Sequence, residues 1–332
     1  MVNSLGEAAL VFLTSAGLCL CIGRAAIRAL TRAQCLAPVR YEDCPPLLAY
    51  QESKSSTPTM GGIFVLLIGV LVAAAAGGLA HRDGWLVLVA VAGLGAVGLY
   101  DDCLKFRGRN AVGLRSLPKL IVALAIGAGL GMAVAAGGPE RYSVLEIPWT
   151  GRVVELGWAW MPFATLVVAG AAHAVNLTDG MDGLAAGCMA IVFSVLGVWA
   201  LAGDPRTRVL VPWCASLAGS CAGFLWFNSF PAAVFLGDVG ALALGAALGA
   251  ISLLTHTALW LVIIGGVFVV EAASVILQVG SYKLRNKRRI FRVAPLHHHF
   301  HLGGTSEPKL IVRFWIIGLL LAMLGLGTRE LL

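Results

Sequence analysis

Long apolar runs alternate along the chain with short polar interruptions. Crossing a hydrocarbon core of about 30 Å takes a helix of about 20 mostly apolar residues. Ten runs reach or approach that length, at roughly 4–28, 59–79, 84–102, 118–137, 158–176, 184–202, 208–227, 232–254, 257–281 and 309–328. The pattern predicts an all-α polytopic membrane protein of about ten transmembrane helices, read as one integral membrane domain over residues 1–332. The first run has no basic leader and no small-residue cleavage site, so it is read as a span and not as a signal peptide.

Composition agrees with this solvent. Of 332 residues, 59% are hydrophobic and 12% charged, and the mean hydropathy is +0.87; a soluble domain carries about 25% charged residues. The 41 glycines suit close helix–helix approach within apolar spans. Eight cysteines are scattered with no CxxC pair. Cys19, Cys21, Cys188, Cys214 and Cys221 fall in apolar runs and read as small hydrophobes.

Charge assigns the sides. One set of loops (29–58, 103–117, 177–183, 228–231 and 282–308) holds or adjoins Arg32, Arg40, Lys54, Lys105, Arg107, Arg109, Arg115, Lys283, Arg285, Lys287, Arg288, Arg289 and Arg292. The other set offers little beyond Arg82, Arg141, Arg152, Arg206, Arg208 and Arg329. Basic loops stay in the cytoplasm, so both termini are expected outside. The net charge of +7 fits this bias together with anionic lipid, and needs no nucleic-acid partner.

The chemistry-bearing residues gather in the basic loops. Asp101 and Asp102 end the third run and precede Lys105, Arg107 and Arg109; carboxylate pairs beside cations are one way Mg²⁺ and phosphate are held together. Asn176, Asp179 and Asp182 occupy a short connection in which Gly180 and Gly183 let backbone approach a ligand. Asp238 is embedded in apolar sequence within Gly-Asp-Val-Gly, where a carboxylate needs a partner and a metal ion is the most economical. Lys54, Thr57 and Thr59 mark the entry to the second run. "APLHHHFHLGG", residues 294–304, puts four of seven histidines within five residues.

Carboxylates without soft ligands favour Mg²⁺ or Mn²⁺ over zinc. Three adjacent histidines cannot all face one ion from a regular helix. They are expected to donate hydrogen bonds to phosphate oxygens, as imidazolium beside so much negative charge. No GxxxxGK[ST] loop appears, which disfavours an ATP-driven pump. A secondary transporter would want midplane sites and inverted repeats, whereas these charges gather at one face. Together they predict one composite cytoplasmic site for Mg²⁺ and a polyanion.

"STPTMGG", "LYDD", "NLTDGMDGLA", "FLGDVGALALG", "EAASVILQVGSYKLR", "APLHHHF" and "VRFWII" occur in this order between residues 56 and 317. In this series the chain resembles the phospho-N-acetylmuramoyl-pentapeptide transferases, a branch of the superfamily that moves a sugar phosphate from a UDP-sugar to a polyprenyl phosphate. The resemblance implies the reaction of UDP-MurNAc-pentapeptide with undecaprenyl phosphate to give lipid I and UMP. It also implies a Mg²⁺-dependent, ten-spanning homodimer of the bacterial cytoplasmic (inner) membrane, with both ends outside. By the same resemblance, Asp238 binds Mg²⁺. Asp101 and Asp102 shape the metal site and handle the lipid phosphate, with Asp101 as general base; a covalent phospho-aspartate is the rival route. Asn176, Asp179, Gly180, Met181 and Asp182 form the nucleoside-binding loop, and Phe235 stacks on uracil. Lys54, Thr57 and Thr59 contact substrate, Gln278 hydrogen-bonds it, and His297, His298 and His299 hold the pyrophosphate or sugar. The alternative is a sibling transferase using UDP-N-acetylglucosamine; the unbroken histidine triplet and "SVILQVGSYKLR" favour the muramoyl-pentapeptide branch. His301 is expected to be a bystander, and Glu271 to be structural or to line the lipid path. Cys44 stands before the Pro where the family has Gly, and Pro118 where many relatives have bulky residues.

Overall fold

The computed structural model describes residues 2, 4–37, 45–107, 113–137 and 144–329; Arg40, Cys44, Arg109 and Arg141 fall outside them. The helices are α1 (Leu5–Arg32), α2 (Pro45–Glu52), α3 (Gly62–Ala75), α4 (Arg82–Arg107), α5 (Ser116–Ala135), α6 (Trp160–Thr178), α7 (Leu184–Ala202), α8 (Val211–Asn228), α9 (Gly237–Leu254), α10 (Ala258–Ile264), α11 (Gly266–Leu284), α12 (Leu296–His301) and α13 (Glu307–Arg329). Among the described residues, nine are long and apolar enough to cross a membrane: α1, α4–α9, α11 and α13. The run at 59–79 folds as α3, whose 14 residues span only about 21 Å at 1.5 Å per residue.

Three expectations shift in detail. The run at 257–281 is two helices, broken at the adjacent Gly265 and Gly266; glycine is a common site of such breaks. The run at 232–254 becomes helical only at Gly237, whose φ of +77° turns the chain into α9. The loop at 138–157, expected on the outer side, contains an antiparallel hairpin, β1 (Val144–Ile147) paired with β2 (Arg152–Glu155), Val144 opposite Glu155. The hairpin packs over α10, where Trp260 Nε1 donates to Glu146 at 2.9 Å.

Helix α9 is the axis of the bundle: every residue from Asp238 to Leu254 is buried. It packs against α4, α6 and α3. Glycine permits these contacts, since a side chain added at Gly62 would collide with the backbone of Gly240 and one at Gly98 with that of Asp238. The outer helices α1, α5, α11 and α13 instead leave apolar side chains such as Leu10, Ile121, Ile276 and Leu320 exposed, as lipid-facing helices do.

The C-terminal end of α1 meets the loop before α3, where Leu36 bridges to Pro58. Glu307 opens α13 beside Lys54. Both helices run away from that shared level, so Ser4 and Thr328 lie at the far end of the bundle, with the hairpin. Cys19, Cys188, Cys214 and Cys221 are buried, as their apolar settings predicted; Cys21 is exposed.

Candidate active site

Helix ends and short loops converge on one cavity of about 260 Å³. Asp102, Asn176, Asp179, Gly180, Met181 and Asp182 line it, joined by Lys54, Thr59, Phe235, Asp238, His297 and His298. Segments some 240 residues apart in sequence, from Lys54 to His298, thus share one space. Asp101, Thr57, Gln278 and His299 are not among its lining residues.

One wall is acidic. Asp101, Asp102 and Asp238 are buried, and each offers a carboxylate oxygen within 4.8 Å of the others. Two lysines face them. Lys105 Nζ lies 2.5 Å from Asp101, 3.1 Å from Asp102 and 3.2 Å from Asp238. Lys119 Nζ lies 3.0 Å from Asp101 and 2.9 Å from Asp238. Asn176 Nδ2 donates to Asp238 at 3.1 Å, and the Val239 N–H to Asp102 at 3.0 Å. The remaining Asp101 oxygen accepts from the Leu114 N–H at 2.5 Å. Asp101 is fully buried behind the lysines, whereas Asp102 and Asp238 face the cavity.

Such burial of charge is tolerated only with opposite charge and hydrogen bonds in place, and here both are present. Three carboxylates against two ammonium groups leave the cluster net negative. Their oxygens are hard donors at mutual distances a small divalent cation can bridge, so the residues fit Mg²⁺. Of the cations, Lys105 was legible: it lies three and four residues after the aspartates, on the same helical face. Lys119 carried no comparable signal, because α4 and α5 meet only in the folded bundle.

A second wall is a charged knot. Lys54 Nζ lies 2.5 Å from Asp182 and 2.6 Å from Glu307. The Tyr50 hydroxyl and the Asp182 N–H also donate to Glu307, at 2.7 and 3.0 Å. Asp182 accepts from the Ala232 N–H at 2.9 Å. Burial pushes the Asp182 carboxyl above its ordinary value, and the hydrogen bond from Lys54 pulls against that shift. Sequence reasoning missed Glu307 and Tyr50; the only trace of Glu307 was an acid in the first turn of a helix.

The histidines divide. His297 and His298 are buried, with ring centroids 4.2 Å apart. Burial, with smaller effects from His297, His301 and Lys54, pushes His298 down to about 2, so it is neutral and not the imidazolium expected. His299 turns away, and its Nδ1 accepts from the Arg292 N–H at 3.1 Å. Successive residues on a helix point about 100° apart, which is why the triplet cannot share one cavity. His301 Nδ1 lies 3.3 Å from the Thr305 carbonyl and its ring lies against Tyr50.

Gln278 is spent on structure: its Oε1 accepts from the N–H groups of Ile290 and Phe291, and its Nε2 donates to Phe291. Thr57 pairs through its carbonyl with the Ala37 N–H. Glu271, left open between two roles above, binds His297 through its carboxylate.

An apolar groove of about 310 Å³ runs between α6 and α11, lined by Leu166, Val175, Phe268, Ala272 and Ile276 among others. Val175, in this lining, precedes Asn176, whose side chain bonds Asp238.

Comparison with known proteins agrees with this geometry. Residues 84–256 match the family model described as glycosyl transferase family 4. Three relatives are each named phospho-N-acetylmuramoyl-pentapeptide-transferase. One from Thermodesulfovibrio yellowstonii is 45% identical over 84% of this chain and 81% of its own length. One from Methylacidiphilum infernorum is 40% identical over 96% and 92%. One from a Geobacter species is 44% identical over 84% and 81%. With helix ends assembled around an acid–lysine cluster and this similarity along most of its length, the chain belongs to the phospho-N-acetylmuramoyl-pentapeptide transferase family.

Proposed function

We propose that this enzyme transfers phospho-MurNAc-pentapeptide from its UDP donor to undecaprenyl phosphate, releasing UMP and forming lipid I. The observation that carries the reading is the acidic wall with its two lysines at the polar cavity, in a bundle that also carries an apolar groove along α6. The cavity suits a nucleotide sugar, and the groove suits a prenyl chain whose phosphate reaches Lys119 and Lys105. A phosphate monoester is mostly dianionic above about pH 6, so no strong base is needed. Its oxygen forms the new bond to the sugar-linked phosphorus as the bond to UMP breaks and UMP leaves with the electron pair. Positioning two anions then dominates the rate.

Lys105 and Lys119 offset the charge of both phosphates, and Asp101 orients the two ammonium groups. This task replaces the base role expected for Asp101. Mg²⁺ would be held by Asp238 with Asp102 and Asp101, and when bound supplies further neutralisation of the pyrophosphate. Lys54, Thr59, Asn176, Asp179, Gly180, Met181, Asp182 and Phe235 would bind the nucleoside end. Thr57, Gln278 and His299 would act by holding the loops that carry these contacts. The reading takes residues 1–332 as one transferase unit, a homodimer in the bacterial cytoplasmic membrane with its site on the cytoplasmic side.

The test is incubation of purified protein with UDP-MurNAc-pentapeptide, undecaprenyl phosphate and Mg²⁺, followed by measurement of UMP. Asp238→Asn should lower turnover by at least about 100-fold while the protein still inserts and elutes as a folded species. Near-normal turnover of that variant would remove Asp238 from its assigned place. Preference for UDP-N-acetylglucosamine in donor competition would favour the sibling transferase.

A further inference from the structure

Glu271 is fully buried in α11, a helix with no other charge before Lys283. An ionisable side chain within a membrane span persists when it is paired inside the bundle. Its partner is His297. The backbone N–H of His297 donates to Oε1 at 3.1 Å, and His297 Nδ1 lies 3.1 Å from Oε2. An ionised carboxylate only accepts hydrogen bonds, so a singly protonated ring paired with one carries its proton on Nδ1 and its lone pair on Nε2. The Nε2 atom is buried and makes no hydrogen bond among the described residues. It abuts Gly180 so closely that any side chain there would collide with the ring. Both Gly180 and His297 line the cavity. A buried nitrogen without a partner calls for an explanation, and a ligand that brings the missing donor supplies one.

We propose that Glu271 is a positioning residue that locks His297 in the Nδ1–H tautomer. His297 Nε2 is thereby an acceptor at the Gly180 wall, reading a hydroxyl or N–H of the nucleotide sugar. This rests on the transferase reading for the identity of the ligand, though not for the tautomer. It reverses the donor role that the sequence suggested for this histidine.

Glu271→Gln tests it without changing shape. The backbone N–H of His297 cannot accept, so the new amide oxygen has to face it. The amide NH₂ then faces Nδ1, which must accept, and the ring proton moves to Nε2. Nitrogen-15 spectra of the full chain with labelled histidine, in detergent and without substrate, read this directly; His297→Asn identifies the signals. The expected result is a pyridine-type Nε2 in the parent protein and a pyrrole-type Nε2 in Glu271→Gln. A pyrrole-type Nε2 in the parent, or no change in the variant, overturns the proposal.

In turnover, the KM for UDP-MurNAc-pentapeptide should rise about tenfold or more as donor meets donor, with the KM for undecaprenyl phosphate unchanged. Equal rises in both would mean a merely structural contact and overturn it. If Glu271→Gln does not fold, the parent spectrum still decides the tautomer. Absence of UMP release by the parent protein would sink the transferase reading while leaving the spectral result standing.

Discussion

Glu307 shows how much one side chain can organise. Its carboxylate gathers Lys54, the Tyr50 hydroxyl and the Asp182 N–H. These come from the first loop and the 179–183 connection, so the contact joins α2 to the Asp182 side of the cavity. Glu307→Gln should lower the melting temperature in detergent, by at most about 3 kcal/mol of stability because Asp182 still pairs Lys54. An unchanged melting temperature would show the knot to be dispensable. His298 gives a pH signature. Its folded pKa is depressed, so the unfolded chain takes up the extra proton. The stability of the neutral form is full above about pH 6.5 and is lost as pH falls below it. Asp182 is shifted upward and works in the opposite sense, so the measurement is comparative. The melting temperature should fall more steeply between about pH 7 and pH 5 in the parent than in His298→Asn, and parallel slopes would contradict it. The sequence marked Asp102 and Asp238 because charge in an apolar setting stands out, and His298 because it lies in a cluster of histidines. It could not show that Lys119 pairs Asp101 and Asp238, Glu307 pairs Lys54, or Glu271 pairs His297, because these contacts form only through tertiary packing.

At the scale of elements, the acidic wall depends on close helix crossings. Gly240 lies two residues from Asp238, and a side chain there would press on Leu236 and on the Gly62 backbone. Gly240→Ala should cost about 1–3 kcal/mol of stability by overpacking and should lower turnover with it. Normal melting and turnover would mean that α3 yields without disturbing Asp238. The long spans were legible because twenty apolar residues have few alternatives. Less so were the hairpin at 144–155, whose strands are only four residues each although Pro148 and Gly151 punctuate its turn, and the break at Gly265, since glycine is frequent throughout these helices. The short reach of α3 was hidden because apolar sequence continues into the turns that flank it.

For the whole molecule, α1 and α13 both begin or end at the site level and run to the opposite end. The basic loops lie at the site end, with Lys283, Arg285, Lys287, Arg288 and Arg289 exposed. Basic loops remain cytoplasmic, which predicts the labelling pattern of introduced cysteines. In intact cells, a membrane-impermeant thiol reagent should reach Ser4→Cys and Thr328→Cys but not Asn286→Cys. The reverse pattern would invert the proposed orientation.

The groove along α6 and α11 is apolar and includes Val175, the neighbour of Asn176 in the chain, while the polar cavity is lined by Asn176 and Asp238. Under the transferase reading, the two reactants therefore travel in different dimensions. One diffuses through the cytosol and departs there as a mononucleotide; the other arrives and leaves by sliding within a leaflet. Supply of the acceptor is then governed by its surface density and not by its bulk concentration. Detergent that dilutes the acceptor among micelles should slow this enzyme, even when every component is present at the same total amount.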